Sequence, residues 1–321
     1  MKKGKLEVRA LERSVLRFFF RQREKEQLVR DGQTVGAGDT AVVTKTLIYG
    51  GIHAEPLVFF ETLNAAFAEN VRPDGLQLFL TLPVAEEEER LAERMRTFRT
   101  LADAAGLRVL GGHTAVSDAV TRPVLTLSIS GEKTGEKRRP EAGEALLMLG
   151  YAGESGAGLL TYLAEEPLKS RFPESYLKEA RTVFSRLSLS REAEILKEYG
   201  AVLQPVAEGG VLYALYAFAE GFRRGIAVDM ENVPLSQAAV EICEALPEKP
   251  DLFSLYAAGC MLAALPEENA AAAMQRLLET GIPAARIGSV TAGPKKELRI
   301  GDHVRDLPVP AADPLLFYDF G

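Results

Sequence analysis

Leu107-Arg-Val-Leu-Gly-Gly-His-Thr-Ala-Val116, continued by Arg122-Pro-Val-Leu-Thr-Leu-Ser-Ile-Ser-Gly131, is the stretch on which the fold turns. Its first run is apolar and ends in two glycines and a histidine. Glycine permits a backbone approach that no side chain allows, so the run reads as a strand that stops at Gly111–Gly112. After a loop holding Ser117 and Asp118, the second run sets Leu125, Leu127 and Ile129 on one face and Thr126, Ser128 and Ser130 on the other. That alternation suits a half-buried strand. The pair predicts a strand–loop–strand with a glycine corner.

Toward the N-terminus, apolar residues at helical spacing predict a helix over 6–23. A loop over Gly32–Gly38 delivers a β-branched strand over Asp39–Tyr49, which Gly50–Gly51 breaks. A helix over 55–70 turns Leu57, Phe60, Leu63, Ala66 and Phe67 inward, a strand spans 77–82, and a long helix spans 85–105. Glu86–Glu89 read as the solvated start of that helix, where its dipole favours acids. The polar, charged run 132–144 is the candidate linker. Beyond it come a strand at 145–149, the glycine-rich loop 150–158 and helices at 159–166, 174–187 and 190–199. A strand at 201–204, a glycine-opened helix at 208–220 and a strand at 225–230 follow. Next are a helix from Pro234 to Leu246, a small-residue strand within 254–265 and a helix at 267–280. Strands 285–290 and 297–300 read as a closing hairpin before an irregular tail from Asp302. The whole is an α+β pattern.

The 321 residues leave room for two domains, and 47% hydrophobic with 26% charged residues is ordinary for a soluble globular chain. A net charge of −7 removes the electrostatic case for nucleic acid or an anionic membrane. Cys243 and Cys260, without paired spacing, suggest a reducing compartment and read as small buried residues. Met1-Lys-Lys-Gly-Lys puts charge where a signal peptide carries an apolar core, and arginines bracket Phe18–Phe20 too closely for a membrane span. The expectation is a cytoplasmic protein.

Gly111-Gly-His-Thr-Ala-Val116 with Arg122-Pro123 resembles the Gly-Gly-His-Thr-Glu-Val…Arg-Pro segment of the aminoimidazole ribonucleotide (AIR) synthase superfamily, in its hydrogenase-maturation-factor-like branch. Gly4-Lys-Leu6, Asp39-Thr-Ala-Val42, Asn64-Ala-Ala-Phe-Ala68 and Gly153-Glu-Ser-Gly-Ala157 are similar to further pieces of that pattern. So are Glu208-Gly-Gly-Val-Leu-Tyr-Ala-Leu215, Gly225-Ile-Ala-Val-Asp229, Glu241–Leu246 and Ala258–Leu262, in the same order. The resemblance implies a two-domain AIR-synthase-like fold, divided here as 1–140 and 141–321. The N-terminal domain would form a shared β-barrel in a homodimer, and the C-terminal domain an α/β sandwich. It also implies ATP and Mg2+, used by family members to activate an oxygen or a related atom. Carried over, the cofactor-binding positions are Asp39, Asn64, Gly111, Gly112, His113, Thr114, Gly153, Gly156, Gly209 and Gly210, with Asp39 as the metal ligand.

Apart from Asp39, the acids of the pattern have gone. Ala65 stands for an aspartate, Ala115 for a glutamate, Ser155 and Ala157 for a glutamate and a threonine, and Gln204–Ala207 for His-Asp-x-Thr. Lys45-Thr46-Leu47 falls where Thr-Asp-Pro belongs, and the final residues Leu316–Gly321 include no cysteine, so C-terminal thiol carrier chemistry is not expected. Magnesium takes hard oxygen ligands, so a site without them binds magnesium-nucleotide poorly. The first reading is therefore a non-catalytic or strongly diverged dimer with a degenerate ATP site, open to a small-molecule ligand. The alternative is an ATP-dependent enzyme with re-sited ligands drawn from Asp39, Glu154, Glu208 and Asp229. Beside these stand plainer roles: a structural hydrogen-bonded His113, Asp39 as a turn cap, and the 150–158 glycines as a tight strand-to-helix turn.

Overall fold

The computed structural model describes residues 32–34, 39–47, 51 and 53–318; the helix expected at 6–23 and the break at Gly50 lie outside them. Two compact units result, one within 32–136 and one within 137–318. Both mix helix and sheet, as the α+β reading requires.

The first unit is built on a five-stranded sheet ordered β1-β2-β5-β3-β4, open among the described residues. Its strands are β1 (Gly32–Thr34), β2 (Thr40–Leu47), β3 (Val71–Leu82), β4 (Arg108–Val116) and β5 (Val124–Lys133). Helices α1 (Ala54–Ala68) and α2 (Glu88–Ala104) follow β2 and β3. β5 lies antiparallel to both β2 and β3 and buries Leu125, Leu127 and Ile129 completely, as the alternation predicted. On the opposite face, Thr44 bonds Ser128 and Thr46 bonds Thr126, each at 2.8 Å, so the second side of the sheet is polar.

Several expectations change. Residues 32–34 pair with β2 and are strand, not loop. In α1, Phe59 is fully buried while Phe60 and Phe67 are only half-buried. β3 starts at Val71, earlier than predicted, because Pro73 and Gly75 hide its alternation; the register against β5 shifts at that point. Glu86 is not a solvated acid: its carboxylate meets Arg94 at 2.9 Å with both side chains largely shielded from water, and Arg94 also bonds Glu55. Most instructively, β4 does not stop at its glycines but runs through them, parallel to β3. A side chain on Gly112 would put its Cβ 1.8 Å from the Leu78 carbonyl oxygen, and its φ is 154°. Gly112 lets the edge strand close on β3 where any other residue would be held off, whereas Gly111 faces open space.

The second unit carries a seven-stranded sheet ordered β12-β11-β8-β10-β6-β9-β7. Its strands are β6 (Ala145–Leu149), β7 (Val202–Val206), β8 (Gly225–Asp229), β9 (Cys260–Leu265), β10 (Ala284–Thr291), β11 (Lys296–Ile300) and β12 (His303–Asp306). Its helices are α3 (Glu154–Leu163), α4 (Glu165–Lys169), α5 (Glu174–Ala180), α6 (Ser190–Glu198), α7 (Gly210–Phe222), α8 (Gln237–Ala245) and α9 (Glu267–Leu278). α7 presses Val211, Ala214, Leu215 and Phe218 onto Leu146, Met148, Ile226, Val228 and Leu262, forming the core. No helix among the described residues is long and apolar enough to cross a membrane.

The closing hairpin is corrected: β10 and β11 do not pair, because β8 lies between them, antiparallel to β10 and parallel to β11. The connection crosses the start of β8 at Gly225, whose Cβ would lie 2.4 Å from the Gly293 carbonyl oxygen and 2.6 Å from that of Lys295. β11 instead turns back into β12, inside the tail read as irregular. Pro234 precedes α8, which Ser236 caps by accepting the Ala239 N–H at 3.2 Å. The linker charges also have partners. Arg138 donates to the Gly200 carbonyl and to Glu144, and Arg139 donates to the Phe222 and Arg223 carbonyls at the C-terminus of α7.

Candidate functional site

In the second unit, β6 and β7 each end in a glycine turn that starts a helix. The first helix begins at Glu154, inside the run read as loop, with Gly153 before it at φ 66°. The second begins at Gly210, with Gly209 before it at φ 80°. Both starts need the left-handed backbone that glycine supplies without strain. They converge on one segment, 251–257, which Asp251 stiffens by accepting the Phe253 N–H and the Ser254 hydroxyl. Gly156 N–H donates to the Tyr256 carbonyl (2.9 Å), Leu212 N–H to that of Phe253 (3.0 Å), and Ala257 N–H to that of Ala207 (3.2 Å). A Cβ on Gly153, Gly156 or Gly210 would lie 2.5–2.7 Å from a carbonyl oxygen of Leu252, Tyr256 or Phe253. These glycines serve close backbone packing.

The start of α7 also meets a carboxylate from the same chain. Asp313 is 2% exposed; its Oδ2 accepts the Gly209 N–H at 2.8 Å and its Oδ1 accepts the Leu315 N–H at 3.0 Å. Burial pushes this carboxyl up to about 6, against the pull of those donors, and the nearby Glu208 raises it further. Sequence reasoning missed Asp313, although Asp-Pro-Leu-Leu has the form of a cap followed by a proline at the first helical position. Burial likewise pushes the Glu154 carboxyl up, opposed by Arg186 at 3.1 Å and by a bond from Ser236. The Cys260 thiol donates to the Tyr151 carbonyl at 3.1 Å, and burial raises it well above the ordinary range. Burial raises Cys243 to about 12, so neither cysteine is a ready nucleophile.

The other named positions lie in the first unit. Asp39 is exposed where β2 begins, with its carbonyl accepting the Lys133 N–H. Asn64 is buried on α1. Gly111, Gly112, His113 and Thr114 follow one another along β4, His113 exposed and paired across the ladder with Phe79. The structure thus gathers Gly153, Gly156, Gly209 and Gly210 around 251–257, and places Gly111–Thr114 on an edge strand. Of the alternative acids, Glu154 is paired with Arg186 and Asp229 accepts the Glu231 N–H at 3.1 Å. Among the described residues, no three His, Cys, Asp or Glu side chains come together in a way that could hold a metal ion.

Comparison with known proteins adds a lineage. Residues 141–301 match the family model described as AIR synthase related protein, C-terminal domain. A putative hydrogenase expression/formation protein of Methanocaldococcus jannaschii is 25% identical over 301 residues, covering 89% of this chain and 87% of that protein. A chain of the HypE–HypF complex superposes with a TM-score of 0.76 at 20% identity, covering 94% of this chain and all of that one. Hydrogenase maturation protein HypE in complex with ATP gives 0.72 at 21% identity, over 98% and 97% of the two chains.

Proposed function

The chain belongs to the AIR synthase-related family, and from that premise we propose that it is a homodimeric, HypE-like binding protein of the cytoplasm whose magnesium-ATP site is degenerate. One observation carries the reading: the glycine turns where a phosphate cradle would be sought are engaged with the chain itself. Gly209 gives its N–H to the Asp313 carboxylate, and Gly153, Gly156 and Gly210 sit against the backbone of 252–256. A carboxylate at that helix start occupies the place a phosphate oxygen would take and repels an incoming anion. The lost acids at Ala65, Ala115 and Ser155 support the same reading, because little remains to offset the cost of stripping water from magnesium. Asp39, Asn64, Gly111, Gly112, His113 and Thr114 are the positions in the first unit that we assign to the ancestral nucleotide site. Calorimetric titration with ATP, with and without magnesium, tests this. The expected result is no magnesium-dependent binding tighter than about 1 mM. Micromolar, magnesium-dependent binding with turnover would sink it.

A second reading keeps ATP chemistry, favoured by the similarity over nearly the whole chain to a HypE solved with ATP. Here Asp39 is the metal ligand to test, since it is the acid retained at a motif position. If Asp39→Asn leaves nucleotide affinity and turnover unchanged, this reading loses its metal ligand.

A further inference from the structure

The sheet of the second unit has a face that points away from α7, and across β8, β10, β11 and β12 that face holds a cavity of about 330 Å³. Register fixes what lines it. Ser289, Ala227 and Glu297 stand side by side on β10, β8 and β11, and one step along Asp229, Arg299 and Val304 stand side by side on β8, β11 and β12. Their alternates Ile226, Val228, Val290 and Leu298 enter the core beneath α7, which confirms the direction of the first set. Arg286 closes one end and is already joined to Glu267 at 2.8 Å. The floor is small, at Ala227 and Ser289, while the walls are charged.

Two features distinguish this hollow from an ordinary solvated sheet surface. First, opposite charges stand next to each other without pairing: Arg299 has no hydrogen-bond or ion-pair partner among the described residues, although Asp229 is its cross-strand neighbour. A guanidinium beside carboxylates normally closes on one of them. Second, the charge does not favour a simple ion. Arg286 is held by Glu267 at 2.8 Å and Glu297 only loosely by the exposed Lys295 at 3.9 Å, while among the described residues Asp229 accepts only the Glu231 N–H, so the charges facing the hollow are Arg299 on one side and Asp229 and Glu297 on the other. A bare anion meets two carboxylates and a bare cation meets a guanidinium, whereas a molecule carrying both charges satisfies each wall.

We propose that this cavity binds a small zwitterion, an α-amino acid, with its carboxylate on Arg299 and its ammonium on Glu297 and Asp229. The side chain then lies over Ala227 and Val304, and the volume falls at the small end of ligand pockets. The cavity shares no lining residue with the glycine turns around 251–257, and of the acids weighed for the nucleotide site only Asp229 lies in it. The test is calorimetric titration of the full chain with each of the twenty standard amino acids, with acetate and methylammonium as single-charge controls. One or more amino acids should give saturable heat while both controls stay silent. Arg299→Ala and Glu297→Gln, each on the open sheet face, should each weaken that binding by at least about tenfold with the fold intact by circular dichroism. Silence from all twenty at millimolar concentration overturns the proposal. So does binding that survives both substitutions, or acetate binding as tightly as the best amino acid.

Discussion

A carboxylate that is 2% exposed and still accepts two backbone N–H groups is under opposing pressures, and Asp313 shows which one wins. Desolvation exceeds the stabilisation by Gly209 and Leu315, so the group sits at about 6, above its ordinary 3.8. Between those values the folded chain keeps a proton that the unfolded chain has released. The contribution of this group to stability is therefore full below the unfolded value and is lost as pH rises through about 6. The distance from 3.8 to about 6 corresponds to about 3 kcal/mol. Asp313→Asn removes the titration, so its stability relative to the parent should improve by up to about 3 kcal/mol between roughly pH 4 and pH 7. Denaturant melts across that range check it; a difference that does not move with pH would mean that the carboxyl does not titrate there. The local half of this arrangement was legible, since Asp-Pro after an irregular stretch is a helix-start signal. The other half was not, because the partner is Gly209, 104 positions away, and nothing in either segment announces the other. The same limit explains Glu86, whose run of acids reads as solvated until Arg94 and Glu55 fold against it.

Elements were legible where burial imposes a period and illegible where backbone contact decides. β5 has one buried and one polar face, and its alternation gave its residues correctly. β4 has neither face buried, so its sequence carries a strand's length without a strand's pattern. Its glycine pair looks like a stop, while Gly112 acts as a fit to β3. Gly112→Ala tests that role, because the new Cβ would meet the Leu78 carbonyl oxygen at 1.8 Å in a backbone conformation that alanine disfavours. The first unit should lose more than about 2 kcal/mol, whereas Gly135→Ala, with open space around it, should change stability by less than about 0.5 kcal/mol. Equal effects of the two variants would refute the close-approach role. The misread hairpin has a parallel cause. β10 and β11 each carry the right alternation for pairing, but β8, far away in sequence, inserts between them, and a hairpin signal contains no information about an intruding strand. Loss of the Ser236 hydroxyl is a smaller test of the same scale: Ser236→Ala removes the bond to the Ala239 N–H and should cost about 1 kcal/mol.

For the molecule as a whole, β4 leaves an edge to be accounted for. It is nine residues long, uncharged after Arg108, and exposes Val109 (54%), Leu110 (50%) and Val116 (63%), with Phe79 of β3 39% exposed beside it. A long apolar edge invites another strand, and folded proteins block such edges with charge, proline or a covering segment. Among the described residues, none of these devices is present on β4 after Arg108. The polar face formed by Thr44, Thr46, Thr126 and Ser128 shows that the rest of this sheet surface is not avoiding water in the same way. Family membership and this edge together motivate the homodimer. Light scattering at micromolar concentration should give twice the chain mass. The double substitution Val109→Glu with Val116→Glu should give the single-chain mass while circular dichroism and the melting midpoint stay close to the parent, because both side chains are already more than half exposed. A parent that is monomeric removes the dimer from the proposal. A variant that remains dimeric moves the interface away from β4, and the exposed edge then requires a different partner. Gly112→Ala separates these cases further: an interface built on β4 should weaken with the strand's docking, and an interface elsewhere should outlast it.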